Sequence, residues 1–355
     1  MKVKPSGPSN SAFLLIPEDA DDLLTLRRVI EKGDAVVSDT TRVVKQEKEY
    51  ARPDKGERVK VRLSIKVDQS QLDSAVDRLR ISGNITETDN ELVSKGIHHS
   101  FAVQPGDILV VDKGRRWRDF ELRMLKKSGT GSAYVLVAID TQEAAVARVS
   151  GTHVKVIPNI YSGQSGKRYQ TKNNPNIETF FSDVAGAVVS VTGEDDHIII
   201  FGPGETRKRF YNLLIERHQE LHRESAKVVD GVDVAGEDGI FVFLRSSAMK
   251  EVMSASKLAA VSSVLDQVML MVNRGESKFA MGLKEVSNAA ALKAVETVVF
   301  SDLSLNTSNE EEVVKMLNSI ESHGAKVFAV DSSTDIGLRV TSLGGIVALL
   351  RYSIR

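Results

Sequence analysis

A polar, glycine-rich stretch, Lys126 to Ser132, separates two parts of this 355-residue chain that differ in hydrophobic pattern. Before it, apolar and polar residues alternate, whereas Ala133 to Ile139, directly after it, is continuously apolar. Alternation is typical of a strand with one solvated face, and a continuous apolar run is typical of a strand covered on both faces. A chain of this length also exceeds what one hydrophobic core usually serves. We therefore predict several domains, with a boundary in this stretch.

The first predicted domain, residues 1–130, is a small, strongly curved β-sheet or barrel. Its clearest strand is Val59 to Val67, in which Lys60, Arg62 and Lys66 alternate with apolar residues, so that one face is core and the other basic. A helix precedes the strands, with acidic residues in its first turn, basic residues in its last turn and Gly33 as the expected C-cap.

The second and third predicted domains, residues 131–247 and 248–355, are both α/β. In the second, the apolar strand His197 to Phe201 leads through a glycine turn into a helix expected from Glu205 to about Glu224. Ile240 to Leu244 is predicted to be its last strand. The third begins with an amphipathic helix, Ser256 to Val272, and alternates strands and helices in the pattern of a compact α/β/α sandwich.

Composition excludes several classes of function. The chain has no cysteine, which excludes disulfides, thiolate catalysis and cysteine metal sites, and favours a reducing cytoplasm. Its apolar runs are too short for a signal peptide or a membrane span. The formal net charge of -1 argues against a protein that coats nucleic acid over its whole surface, so only a local basic patch is expected to bind RNA.

The strongest such patch in the first domain is Arg115, Arg116, Trp117 and Arg118. Guanidinium groups pair with phosphates, while the indole either stacks on a base or packs in the core. If the strands adjoin, these residues form one basic face with Lys60, Arg62 and Lys66. We predict RNA contact there, the alternative being a solvated charged surface.

A second basic segment, Tyr161 to Tyr169, contains Lys167 and Arg168. It includes Gly-Lys, but Tyr161 stands where a phosphate loop needs its first glycine, and Arg168 replaces the magnesium-binding Ser or Thr. We therefore predict a basic loop rather than a nucleotide site, so that GTP or ATP chemistry belongs to a partner. A second anion-binding candidate is the helix start after Gly202-Pro203-Gly204, which serves equally well as a tight structural turn.

No set of residues has the spacing of a catalytic centre. Asp19, Asp21 and Asp22 are candidates for a divalent metal, but helix N-terminal acids explain them equally well. His98 and His99 are adjacent in a strand and should point to opposite faces, which prevents an acid/base pair. The His218 to His222 segment lacks the glutamate that must directly follow the first histidine of a zinc protease.

Several stretches resemble archaeal members of the Pelota family. The matching residues run through all three predicted domains and include Pro17-Glu18-Asp19, Leu79-Arg80-Ile81-Ser82-Gly83, Gly96-Ile97-His98-His99-Ser100, Gly202-Pro203-Gly204, Gly282-Leu283-Lys284-Glu285-Val286 and Gly344-Gly345-Ile346-Val347-Ala348-Leu349-Leu350-Arg351-Tyr352.

The resemblance implies an Sm-like β domain, a release-factor-like middle domain and a ribosomal-protein-like C-terminal domain. It also implies a monomer that an elongation-factor-like GTPase in its GTP form delivers to the empty A site of a stalled ribosome, after which a recycling ATPase splits the subunits. No cofactor is required, although the family carries a proposal of metal-dependent RNA cleavage in the first domain. Release factors hydrolyse peptidyl-tRNA with Gly-Gly-Gln; here the corresponding loop has Ser162-Gly163-Gln164, so peptide release through Gln164 is a second alternative.

Overall fold

The computed structural model describes most of the chain. The described residues are 1–6, 10–44, 57–72, 78–91, 93–128, 133–163, 175–193, 195–218, 221, 223–305 and 309–354. The chain divides into two compact units, the first made of 1–130, 290–293 and 302–329, and the second of 131–289, 294–301 and 330–355. The three-domain division stays a prediction.

A seven-stranded antiparallel sheet forms the main body of the first unit, in agreement with the β domain predicted for residues 1–130. Its strands follow the order β1-β2-β7-β3-β4-β5-β6. The elements are β1 (Lys2–Pro5), β2 (Ala12–Ile16), α1 (Ala20–Val29), β3 (Ala35–Val44), β4 (Glu57–Leu72), β5 (Leu79–Thr88), β6 (His98–Val103), β7 (Leu109–Asp112) and α2 (Asp119–Ser128).

The alternation predicted for β4 is confirmed. Val61, Leu63 and Ile65 are buried, whereas Lys60, Arg62 and Lys66 are exposed on the opposite face. On the neighbouring strand a Cβ at Gly83 would lie 1.9 Å from the carbonyl oxygen of Lys66, so the close approach of β4 and β5 requires glycine there.

A five-stranded mixed sheet forms the middle of the chain, in the order β10-β9-β8-β11-β12. Every residue of β8 is buried, which confirms the two-sided covering predicted from its apolar run, and β11 lies parallel to it. Helix α3 packs Phe180, Phe181 and Val184 onto one face. The elements are β8 (Tyr134–Ile139), β9 (Glu143–Ser150), β10 (His153–Tyr161), α3 (Pro175–Val191), β11 (His197–Phe201), α4 (Thr206–Arg217), β12 (Ala226–Val228) and α5 (Gly236–Arg245).

The predicted strand at Ile240 to Leu244 is wrong, because these residues lie in α5. Its buried residues, Gly236, Gly239, Ile240 and Phe243, recur at helical spacing, and the Phe243 ring stacks on Phe201 of β11 at 4.5 Å. A five-residue apolar run fits a buried helix as well as a strand, and only the tertiary contact distinguishes them.

Two helices also end earlier than the sequence predicted. Helix α1 ends at Val29 with Ile30 as its C-cap, and Gly33 instead lies in the following turn, where its N–H donates to the carbonyl of Val67. Helix α4 ends at Arg217 rather than near Glu224, and His218 is its C-cap. His222 lies outside the described residues.

The C-terminal part contains a four-stranded sheet in the order β13-β16-β14-β15 with helices around it, the α/β/α arrangement predicted. The long helix predicted from Ser256 is confirmed, with the Ser256 side chain as N-cap and Gly275 as C-cap. The elements are α6 (Ser247–Val252), α7 (Lys257–Arg274), β13 (Phe279–Met281), α8 (Gly282–Ala291), β14 (Val295–Ser301), α9 (Glu310–Ser322), β15 (Lys326–Val330), α10 (Asp335–Ser342) and β16 (Ile346–Leu350).

None of the helices in the described part of the chain combines the length and the hydropathy needed to traverse a lipid bilayer.

Candidate nucleic-acid interface

A row of cations lies on the solvent-facing side of β4. The Arg62 side chain is half exposed and its guanidinium lies 3.7 Å from the Asp39 carboxylate, while its backbone N–H donates to Asp89 at 2.9 Å. Lys60 and Arg62 line an open pocket of about 340 Å³ together with Asp39 and Asp89. Loosely paired, exposed cations of this kind can exchange their partners for phosphates.

The Arg115 side chain is occupied by a local ion network. Its guanidinium donates to both carboxylate oxygens of Glu121, at 3.0 and 2.7 Å, and to Glu31 at 3.0 Å. These hydrogen bonds, that to Glu121 first, raise the pKa of Arg115. Burial alone would raise the pKa of Glu121, but Arg115, the Arg118 N–H and Lys113 lower it.

Lys113 completes this network from inside the fold. Its buried ammonium group lies 2.8 Å from the Asp34 carboxylate and donates to the carbonyl of Val29. Arg118 is more exposed, 3.6 Å from Glu31. Arg115 is therefore held by protein carboxylates, whereas the exposed residues Arg116 and Arg118 remain the candidates for phosphate contact in this segment.

Trp117 takes the core position, the second of the two roles that its sequence allowed. The side chain is 2% exposed, its ring meets Phe13 edge-on at 5.3 Å, and its Nε1–H donates to the carbonyl of Ser11 at 2.6 Å. The prediction of Trp117 as an accessible RNA-stacking residue is thus corrected, because both the ring and its polar atom are used within the fold.

The prediction of one basic face shared by the β4 cations and the Arg115 to Arg118 segment required β4 and β7 to be neighbouring strands. They are not neighbours in the sheet. Strand β7, which leads into Arg115, pairs with β2 and β3, and β3 separates it from β4. The first unit therefore presents two basic surfaces, one on β4 and one after β7.

Two of the three candidate metal ligands at the start of α1, Asp19 and Asp22, have different side-chain partners. Asp19 is the N-cap, accepting from the N–H of Asp22 at 2.9 Å. Asp22 is fully buried 2.7 Å from the Met1 amino group, and it accepts from the N–H of Glu18. Burial alone would lower the pKa of that amino group, but Asp22 and Glu18 raise it. No cluster of three metal-binding side chains occurs in the described ranges.

The segment predicted to be the second basic loop follows the end of β10, which hydrogen bonds hold in place. Tyr161 ends β10 with 68% of its surface exposed, and the N–H of Ser162 donates to the carbonyl of Gln142. The Asn159 side chain donates a hydrogen bond to the Glu143 carboxylate and accepts one from the N–H of Glu237. Gln164, Lys167 and Arg168 lie outside the described residues, so their predicted roles stay predictions.

The Gly202-Pro203-Gly204 segment is built as a tight turn. The Arg207 guanidinium donates to the carbonyl of Gly202 and to Asp230. Arg207 therefore holds the turn, which favours the structural alternative over an anion site made with this side chain.

Comparison with known proteins places these features in a family. A model described as the Pelota N-terminal domain matches residues 1–129, and one described as eRF1 domain 3 matches residues 258–354. The Pelota homologue of Nitrosopumilus maritimus is 52% identical over 340 residues, 96% of each chain. The chain belongs to the Pelota family. A second Pelota homologue, from Cenarchaeum symbiosum, is 43% identical over 338 residues, 95% of this chain and 96% of that one.

Solved Pelota structures share the fold. The crystal structure of Thermoplasma acidophilum Pelota matches with a TM-score of 0.66 at 21% identity, and that of Archaeoglobus fulgidus Pelota with 0.51 at 27%, each covering 100% of both chains. The sequence did not predict that the cations Arg27, Arg28 and Lys113 are buried. A cation at a core-facing position in a strand or helix is the signal that would have found them.

Proposed function

We propose that this chain recognises ribosomes stalled with an empty A site and promotes dissociation of their subunits. Membership of the Pelota family over 96% of the chain is the observation that carries the proposal. An elongation-factor-like GTPase in its GTP form delivers the chain as a monomer, and a recycling ATPase then acts with it. The site of action is the cytoplasm, where the step serves no-go and non-stop mRNA decay.

The exposed cations of the first unit supply the RNA contacts in this proposal. Lys60, Arg62 and Lys66 on β4 contact RNA phosphates, with Arg116 and Arg118 contributing from the segment after β7. Lys167 and Arg168 contact tRNA or the GTPase. Nothing in this role needs a catalytic residue or a metal.

The metal-dependent endoribonuclease alternative receives less support from the geometry. A nuclease needs carboxylates converging on a common metal, whereas Asp19 caps α1 and Asp22 faces the Met1 amino group. The contacts of these side chains favour binding over cleavage.

The test uses ribosomes stalled on a truncated mRNA that carries labelled peptidyl-tRNA, with the full-length chain and its GTPase and ATPase partners. We expect intact peptidyl-tRNA and separated subunits. The Gln164→Ala variant should yield the same amount of separated subunits as the natural chain. Replacing Lys60, Arg62 and Lys66 together by glutamine should lower the yield of separated subunits. The control is the same change in charge at Lys227, Lys278 and Lys326, three exposed residues of other elements.

Two results would overturn the proposal. Free peptide that depends on Gln164 would make the chain a release factor. Cleaved mRNA that requires added divalent metal and is lost in Asp21→Asn, with an unchanged circular dichroism spectrum, would make it a nuclease.

A further inference from the structure

Two segments that stand out in the sequence, Leu79 to Gly83 and Gly96 to Ser100, lie side by side in the first sheet. The first forms the start of β5 and the second runs into β6, and these strands pair with Asn84 opposite His98. On the other side of β5, Asn84 lies opposite Lys66 of β4. Lys66, Asn84 and His98 therefore form one row across three neighbouring strands.

The row lies on the outward face of the sheet. Lys66, Asn84 and His98 are all exposed. The alternation of β6 places His99 on the inner face, as the sequence predicted, and there its ring meets the buried Phe101 ring edge-on at 5.1 Å. Residues opposite each other on one face of an antiparallel pair have Cβ atoms about 5 Å apart, so one ligand group can contact neighbouring members of the row.

The three side chains of the row are available for a ligand. Within the described part of the chain, none of them makes a hydrogen bond, an ion pair or a ring contact with another side chain. Arg62, on the same strand as Lys66, differs in lying close to the Asp39 carboxylate. The row therefore presents an ammonium group, an amide that both donates and accepts, and an imidazole ring.

The next two rows on this face are polar and carry no negative charge. Their outward positions are held by Gln69, Ser82 and Ser100 in one row and by Gln71, Arg80 and Ala102 in the other. The exposed Asp68 lies in the bulge of β4 between the first row and the second. Serine and alanine are small, so they leave room on the sheet beside the larger side chains, while Arg80 adds a second positive charge to that of Lys66.

Single-stranded RNA matches this set of groups. Its phosphates pair with cations, its unpaired base edges carry donors and acceptors for an amide, and its base faces stack on aromatic rings that include imidazole. In a duplex the bases are already paired and stacked, so a duplex offers this face mainly its phosphates.

We propose that the outward face of β4, β5 and β6 binds single-stranded RNA. One base stacks on the imidazole of His98 and forms hydrogen bonds with the amide of Asn84, while Lys66 and Arg80 contact phosphates. This inference rests on the proposed function, because the ribosome is the expected source of the RNA, and it adds base contact to the phosphate contacts assigned there.

The binding test uses the full-length chain with a labelled single-stranded oligoribonucleotide and, separately, with the same sequence as a duplex. Asn84→Ala combined with His98→Ala should weaken binding of the single strand by about tenfold or more, because stacking on one base is lost. Binding of the duplex should change by about twofold or less, since the phosphate contacts remain. The matched control combines Asn273→Ala with His197→Ala, two exposed residues of the second unit, and should leave both affinities unchanged.

Two further measurements separate a ligand site from a structural role. Stacking of a base should move the ring proton resonances of His98 upfield when the single strand is added. Without RNA, the melting temperature of the Asn84→Ala and His98→Ala double variant should equal that of the natural chain, because both side chains are exposed. A marked fall in that melting temperature would show that the row stabilises the sheet and would overturn the proposal.

The outcomes also separate this inference from the proposed function. Equal losses of affinity for single strand and duplex would mean that the face contacts phosphates only, and no binding of the single strand would reject the site outright. Normal splitting of ribosomes, with a double variant that binds the single strand as well as the natural chain does, rejects this inference alone. Binding that depends on Asn84 and His98, in a chain that does not split ribosomes, rejects the proposed function alone.

Discussion

Gly202 lets the turn after β11 pass against the backbone of β8. Its φ is +138°, and a Cβ there would lie 2.1 Å from the carbonyl oxygen of Ile139. Gly202→Ala should therefore lower the free energy of unfolding by about 3 kcal/mol, measured by urea denaturation. The matched control is Gly186→Ala in α3, where nothing lies within 4 Å of the added methyl group. Gly186→Ala should raise the free energy of unfolding by about 0.5–1 kcal/mol. Equal changes in the free energy of unfolding at both sites would contradict the steric argument.

Asp331 carries a pH-dependent contribution to stability. The hydrogen bond from His153, 3.2 Å long, and then those from Ser333 lower the pKa of Asp331 to about 2 against the opposing effect of burial. Because the pKa is lower in the folded chain than in the unfolded one, this stabilisation is present above about pH 4 and is lost as the pH falls towards 2. Asp331→Asn should remove on the order of 1 kcal/mol at pH 6 and flatten the acid limb of a melting-temperature profile. Asp195→Asn, at an exposed carboxylate, should leave that profile unchanged.

At the scale of elements, helices α1 and α9 are joined by buried charges within the first unit. Arg28 donates to Glu321 and to Asn318, and the Asn318 amide donates back to the carbonyl of Arg28. Burial lowers the pKa of Arg28, and the Glu321 carboxylate opposes this effect. A cation in this position depends on a partner almost three hundred residues away in sequence.

Removing one member of this pair should cost more than removing both. Glu321→Ala leaves Arg28 buried without its carboxylate and should destabilise the first unit by about 3 kcal/mol in chemical denaturation. Arg28→Met combined with Glu321→Leu replaces the pair by apolar side chains of similar volume and should recover most of that loss. A double variant as unstable as the single one would show that the contact does not act through charge.

The elements also differ in how far the sequence determined them. Helix α7 was predictable because Ser256 and Gly275 mark its ends and its apolar residues recur with helical spacing over many turns. Helix α5 was not, because it is short, lacks a side-chain N-cap bond and presents only five consecutive apolar residues.

At the scale of the whole molecule, the net charge of -1 gives no general attraction to RNA, so the salt dependence of binding must come from particular surfaces. Replacing Lys60, Arg62 and Lys66 by glutamine should make the slope of log K against log salt shallower by about 2 for ribosome binding. The Lys227, Lys278 and Lys326 triple variant changes the net charge equally and should leave the slope close to its original value. Equal slopes in the two variants would mean that the β4 surface does not face RNA.

The sequence by itself determined the alternating basic strand β4, the buried strand β8, the α/β character after residue 131 and the family, because periodicity and ordered motifs are local properties of the chain. Tertiary structure decided which cations are available. Arg115 and Trp117 stand in one basic segment with Arg116, yet Glu121 and Glu31 hold Arg115, and Phe13 and Ser11 enclose Trp117. Apart from Glu121, which is six residues from Arg115, these partners are distant in sequence, and they become neighbours only when the sheet has formed.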